Sequence, residues 1–109
     1  MMERSGKQVV FITASSEEEA KKIATVLVEE NLAACVSILP KIRSIYRWEG
    51  KVADEEELLL IAKTSEEKFA DLCLSVKKLH SYETPEIIAI EVADGLKAYL
   101  EWIDESLGS

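Results

Sequence analysis

Histidine occurs once in this chain of 109 residues, as His80, and imidazole is the commonest neutral ligand for transition metals. Zinc and copper sites normally gather three or four donors, and soft or borderline donors are scarce in this chain. A metal would therefore use His80 with carboxylates, or one His80 from each of several copies of the chain. The plainer reading makes His80 the end of a helix, where a partial positive charge suits the negative pole.

A second set joins aromatic rings to cations: Tyr46, Trp48, Lys51, Lys63, His80 and Tyr82. They fall in segments expected to meet near a subunit boundary. A cleft built from them could hold a small anion, with Lys51 and Lys63 supplying charge and the rings excluding water. The same residue types also anchor ordinary subunit interfaces, and Lys51 also suits a turn. Catalysis has little to work with. There is no Ser-His-Asp order, no glycine-rich phosphate loop and no H-E-x-x-H helix. Glu57, Glu83 and Glu86 could join His80 as an acid-base set, but 21 acidic residues supply such triples by chance. The expectation is a binding or scaffold module and not an enzyme.

The elements that must position these residues are marked by pattern. Val9 to Thr13 is a short β-branched and aromatic run, read as a strand. Ser16-Glu17-Glu18-Glu19 reads as a capping box, with Ser16 accepting from first-turn amides and Glu19 reaching back. The helix it opens runs from about Ser16 to Glu30, buries Ala20, Ile23, Ala24, Leu27 and Val28, and has Asn31 as a left-handed cap. A strand from about Ala33 to Leu39 is interrupted by Pro40, which donates nothing to a ladder. The pattern resumes through Ile42, Ile45, Tyr46 and Trp48, turns at Glu49-Gly50-Lys51 and returns through Leu58 to Lys63, a long bent hairpin.

Thr64-Ser65-Glu66-Glu67 is expected to open a second helix with a stripe of Phe69, Leu72, Cys73, Val76 and Leu79, echoing the Ser-Glu-Glu of the first. A last strand, Ile87 to Val92, precedes a terminal helix from Asp94-Gly95 with Leu96, Tyr99, Leu100 and Ile103 on one face. The order β-α-β-β-α-β-α is that of the split β-α-β arrangement with a tail helix, which puts both main helices on one side of the sheet.

The strands do not alternate as a half-wet sheet should. Val9 and Phe11 oppose Val10 and Ile12, Leu58 and Leu60 oppose Leu59 and Ile61, and Ile87 and Ala89 oppose Ile88 and Ile90. Two helices cannot cover both faces, and an apolar patch on four strands exceeds what a soluble monomer tolerates. The hairpin also outreaches its neighbours and would expose Trp48 and unpaired backbone. Closed assembly of low order answers both problems.

A net charge of −8 disfavours nucleic acid, whose binding proteins cluster Lys and Arg. No apolar run approaches the roughly 20 residues that cross a bilayer, and the N-terminus lacks the apolar stretch of a secretion signal, so a cytoplasmic place is expected. Cys35 and Cys73 form no C-x-x-C pair and read as two buried, reduced thiols. Glu and Lys dominate the charged residues, and Gln8 and Asn31 are the only side-chain amides, a composition suited to high temperature.

Asn31-Leu32-Ala33-Ala34-Cys35-Val36, Tyr46-Arg47-Trp48-Glu49-Gly50-Lys51, Lys63-Thr64, and His80-Ser81-Tyr82-Glu83-Thr84-Pro85-Glu86 together resemble the successive signatures of the CutA divalent-cation-tolerance family, over roughly residues 8 to 107. The resemblance implies an α+β ferredoxin-like fold assembling as a homotrimer, related in architecture to the PII signalling proteins. It also implies a role in divalent cation tolerance and the binding of copper or another divalent cation, with no organic cofactor. It departs at Ser81, where the family commonly has proline, and at Leu79 and Ile12, which stand where some members carry a second histidine and a cysteine. A metal site built on those two ligands does not carry over. The expected organisation is a flexible N-terminus, residues 1–7, and a single domain, residues 8–107. The alternative function is a PII-like sensor that binds a small anionic metabolite in clefts between subunits.

Overall fold

A computed structural model describes residues 4–108. Its elements follow the expected order: β1 (Lys7–Ala14), α1 (Glu17–Glu29), β2 (Cys35–Trp48), β3 (Lys51–Ser65), α2 (Phe69–Leu79), β4 (Ile87–Glu91) and α3 (Lys97–Ser106). The four strands form one antiparallel sheet in the order β2-β3-β1-β4. The two central strands, β3 and β1, carry the apolar runs Leu58–Ala62 and Val9–Ile12. Val10, Ile12, Leu60 and Ala62 point to one face and are fully buried beneath Ala20, Ile23 and Leu27 of α1 and Leu72 and Val76 of α2. Both main helices therefore share one side of the sheet, as right-handed crossovers require.

Local chemistry sets the boundaries. Ser16 adopts extended backbone and its hydroxyl accepts from the Glu19 N–H at 3.1 Å, closing the first turn of α1. At the other end Asn31 takes φ 58°, and the Leu32 N–H returns to the Leu27 carbonyl at 2.8 Å. Pro40 coincides with a register shift between Leu39 and Ile42, where Lys41 is left-handed at φ 57°. Trp48 pairs with Lys51 across a two-residue turn whose members, Glu49 and Gly50, both have positive φ, the requirement of a type I′ hairpin.

Several expectations give way. The second helix begins at Phe69 and not at Thr64, because Thr64 is still a strand residue: it pairs with Gln8, is fully buried, and donates its hydroxyl to the Leu32 carbonyl at 2.7 Å. Ser65 pairs with Lys7, so the echo of Ser-Glu-Glu marks a helix cap once and a strand end once. Val28 lies on the outer flank of α1 and is exposed, and Leu96 and Tyr99 are exposed where the terminal helix was expected to bury them. Only Ile103, with Leu100 and Leu107, packs from that helix, against Ala34. Cys35 and Cys73 are free but half-buried, since one sits on the sheet's second face and the other on the flank of α2. Burial raises the Cys73 thiol above its usual value.

Of the N-terminus expected to be flexible, residues 1–3 lie outside the described residues. Within the rest, β1 starts at Lys7, Arg4 ion-pairs with Glu66 and Glu91, and the Ser5 hydroxyl donates to the Val92 carbonyl.

Candidate functional site

The segment between α2 and β4 is held by its first three residues. His80 ends α2 in extended backbone, and its side chain is fully buried. Its Nε2 lies 2.6 Å from the Thr13 carbonyl oxygen, so Nε2 carries the hydrogen and donates; Nδ1 accepts from the Tyr82 N–H at 3.0 Å. Both ring nitrogens are thereby engaged in the chain's own structure. The Tyr82 ring leans on the imidazole with centroids 4.7 Å apart, and its hydroxyl donates to Glu57 Oε2 at 2.8 Å. Burial, reinforced by that hydrogen bond and by the negative charge of Glu57, pushes the Tyr82 hydroxyl above its usual range.

Sequence reasoning misplaced one member of this cluster. Glu19 does not close a capping box; its Oε2 accepts from the Ser81 N–H at 3.1 Å, and its Oε1 sits 3.6 Å from His80 Nδ1 with no hydrogen-bond partner. A carboxylate in the first turn of a helix reads the same in sequence whether it caps its own helix or the segment beside it. Glu57, expected only within an acid-base set with His80, Glu83 and Glu86, is six per cent exposed and reaches His80 through Tyr82, whereas Glu83 and Glu86 are exposed. The burial of Glu57 depends on Tyr82, 25 residues away, and leaves no local signal.

The six residues expected to line a cleft do not meet within one chain. His80 and Tyr82 pack together, while Tyr46 lies in the arm opposite Ala53. Trp48 and Lys51 face each other at the exposed hairpin tip. Lys63 lies at the opposite end of β3, paired with Cys35, whose Sγ is 3.8 Å from the ammonium nitrogen. Nor do the residues of one chain fit a resident divalent cation: among the described residues no three His, Cys, Asp or Glu side chains converge as a metal site needs.

The chain matches the family model described as CutA1 divalent ion tolerance protein over residues 8–106. The chain belongs to the CutA1 family. It is 51% identical over 102 residues to the divalent-cation tolerance protein CutA of Thermus thermophilus, covering 94% of this chain and 99% of that protein. The solved structure of the Thermus thermophilus protein superposes with a TM-score of 0.90, covering 92% of this chain and 97% of that one. A structure from Archaeoglobus fulgidus, called a periplasmic divalent cation tolerance protein CutA, has TM-score 0.90 at 50% identity over 93% of this chain and 98% of that one. An Arabidopsis thaliana relative called chloroplastic is 44% identical, covering 96% of this chain and 60% of that protein. Members of the CutA1 family thus carry the names of different compartments. The mixed α+β fold with its four-stranded antiparallel sheet and three helices is that of solved CutA1 proteins. The family takes its name from ion tolerance and not from a catalysed reaction. No helix among the described residues is long and apolar enough to cross a membrane.

Proposed function

We propose that the protein is a cytoplasmic homotrimer acting in divalent-cation tolerance as a binding or scaffold module, not as an enzyme. The observation that carries this reading is the open second face of the sheet. Ile88 and Ile90 remain 52% and 48% exposed there, and Leu39 on the same sheet is 41% exposed. α3 covers only one end of that face, where Asp104 meets Lys7 Nζ at 3.0 Å. Packing such surface against sister chains removes apolar area from water at about 25 cal/mol per Å2. Closure at three copies follows the resemblance to the CutA proteins. Light scattering at micromolar concentration is expected to give three times the 12.2 kDa chain mass. A sharp monomer mass overturns the reading.

Copper or another divalent cation has its place in this proposal only between copies, because the donors of one chain are spent or scattered. Copper titration of wild type and His80→Ala is then expected to give equal affinity, since His80 is engaged with Thr13 and Tyr82. A loss of affinity in His80→Ala would return the imidazole to the ligand set.

A second reading has its own support. The Lys63 ammonium has no carboxylate within ion-pair distance among the described residues, and Lys51 stands beside Trp48 at the tip. Cations that no carboxylate neutralises, one of them beside an aromatic ring, suit a small anionic metabolite held between subunits, as in a PII-like sensor. Metabolite binding that is lost in Lys51→Ala would favour it.

A further inference from the structure

The long hairpin changes character at a single level. Below it, β3 is paired on both sides, with β2 and with β1, whose ladder ends at Ala14 opposite Leu58. Above it, β2 and β3 have only each other, from Ile42 opposite Glu57 to Trp48 opposite Lys51. At about 3.3 Å per residue this free arm reaches roughly 20 Å past the sheet. At the boundary itself the β2 side is interrupted by Pro40 and the left-handed Lys41, and bulged strands bend. The interruption leaves the ribbon with its fewest ladder bonds at the level where it leaves the sheet, the place where it can bend.

Glu57 is the residue of β3 at that boundary, and it is the one that Tyr82 holds. Among the described residues, the hydrogen bond from the Tyr82 hydroxyl to Glu57 is the one side-chain hydrogen bond joining residues 42–57 to the rest of the domain; the Arg43–Asp54 ion pair lies wholly within the arm. Tyr82 is in turn fixed through His80 to β1 and through Ser81 and Glu19 to α1. In the crook of the bend lies a cavity of about 290 Å3 walled by Ser15, Ser16, Pro40, Lys41, Glu56 and Glu57.

We propose that Tyr82 and Glu57 form the latch of this hinge, setting the angle at which the arm leaves the sheet and so the pose in which it meets a neighbouring copy. The meeting with a neighbour rests on the trimer proposed above; the latch does not. Tyr82 and Glu57 are positioning residues, acting on the arm and not on a ligand.

Amide hydrogen exchange of the full chain, read by mass spectrometry, tests the latch. In Tyr82→Phe and Glu57→Ala, peptides from residues 42–57 are expected to exchange about tenfold faster, the scale of one lost charge-assisted hydrogen bond, while residues 7–14 and 58–65 keep wild-type rates. Glu57→Gln, whose side-chain oxygen still accepts from the Tyr82 hydroxyl, is expected to restore slow exchange. Arm rates within twofold of wild type in both disruptive variants overturn the latch, and so does an equal rise across β1. Sedimentation of the same samples separates the two ideas. A single-copy mass with an arm loosened by Tyr82→Phe sinks the trimer and keeps the latch, whereas trimers whose arms ignore both variants do the reverse.

Discussion

The same two strands live in two environments, and the contrast shows what holds each part. From Leu58 to Thr64, every second residue of β3 is buried: Leu58, Leu60, Ala62 and Thr64 face the helices. From Lys51 to Glu56 the same strand runs through Lys-Val-Ala-Asp-Glu-Glu and is largely exposed, with Val52 at 69%. The lower half is held by a core. The arm is held by its own ladder, a type I′ turn and the Arg43–Asp54 pair, which as an exposed ion pair contributes little. Strand geometry is therefore continuous across the boundary while the stabilising free energy is not, and a two-stranded ribbon of this kind is marginal alone in water.

Truncation in each half gives the largest expected contrast. Leu60→Ala removes a fully buried side chain from beneath both helices and should cost about 2–5 kcal/mol. Val52→Ala in the arm should stay within about 0.5 kcal/mol. Urea midpoints at one fixed protein concentration compare them, since association shifts apparent stability by mass action. Equal costs would break the distinction between a core-held and a self-held half.

Thr64 sharpens the same contrast at the far end of β3, because its hydroxyl ties the strand to the carbonyl of Leu32 behind α1. Thr64→Val keeps the shape and leaves that buried carbonyl without this partner. About 1–3 kcal/mol should be lost in the same denaturation experiment. A neutral result would mean that the strand is held there by packing alone.

What could be read in advance follows the range of each cause. Asn31, Pro40 and the Glu49-Gly50 turn act through their own backbones, so the cap, the irregularity and the hairpin were legible where they occur. The open second face was visible as a failure to alternate, while the order of the strands was not read in advance. Thr64-Ser65-Glu66-Glu67 misled because a helix-capping pattern is also a chemically sound strand end, and the pairings Gln8–Thr64 and Lys7–Ser65 decide between them. The site was legible only in part. His80 at a helix end was expected and found, but its bonds to Thr13 and Tyr82 are tertiary. Which acid of an acid-rich chain becomes buried depends on a tyrosine that folding brings to it.

The smallest expected effect concerns the bond at the boundary between the halves, and its sign can be worked out. The folded chain holds the Tyr82 proton more tightly than the unfolded chain, where the hydroxyl titrates near its ordinary 10.0. Below that pH both states keep the proton and the contribution to stability is fully present. Above it the unfolded chain releases its proton while the folded chain does not, so stability falls with rising pH until the raised folded value is passed. Tyr82→Phe has no proton to release there and serves as the reference. The stability advantage of wild type over Tyr82→Phe should therefore shrink between pH 9 and pH 11, modestly because the ring is only half-buried and solvent screens it. Urea midpoints of both proteins at those two pH values measure the change. Parallel pH slopes would mean that the Tyr82 hydroxyl is no more tightly protonated in the fold than in water, and the hydrogen bond that restrains the arm would lose its energetic basis.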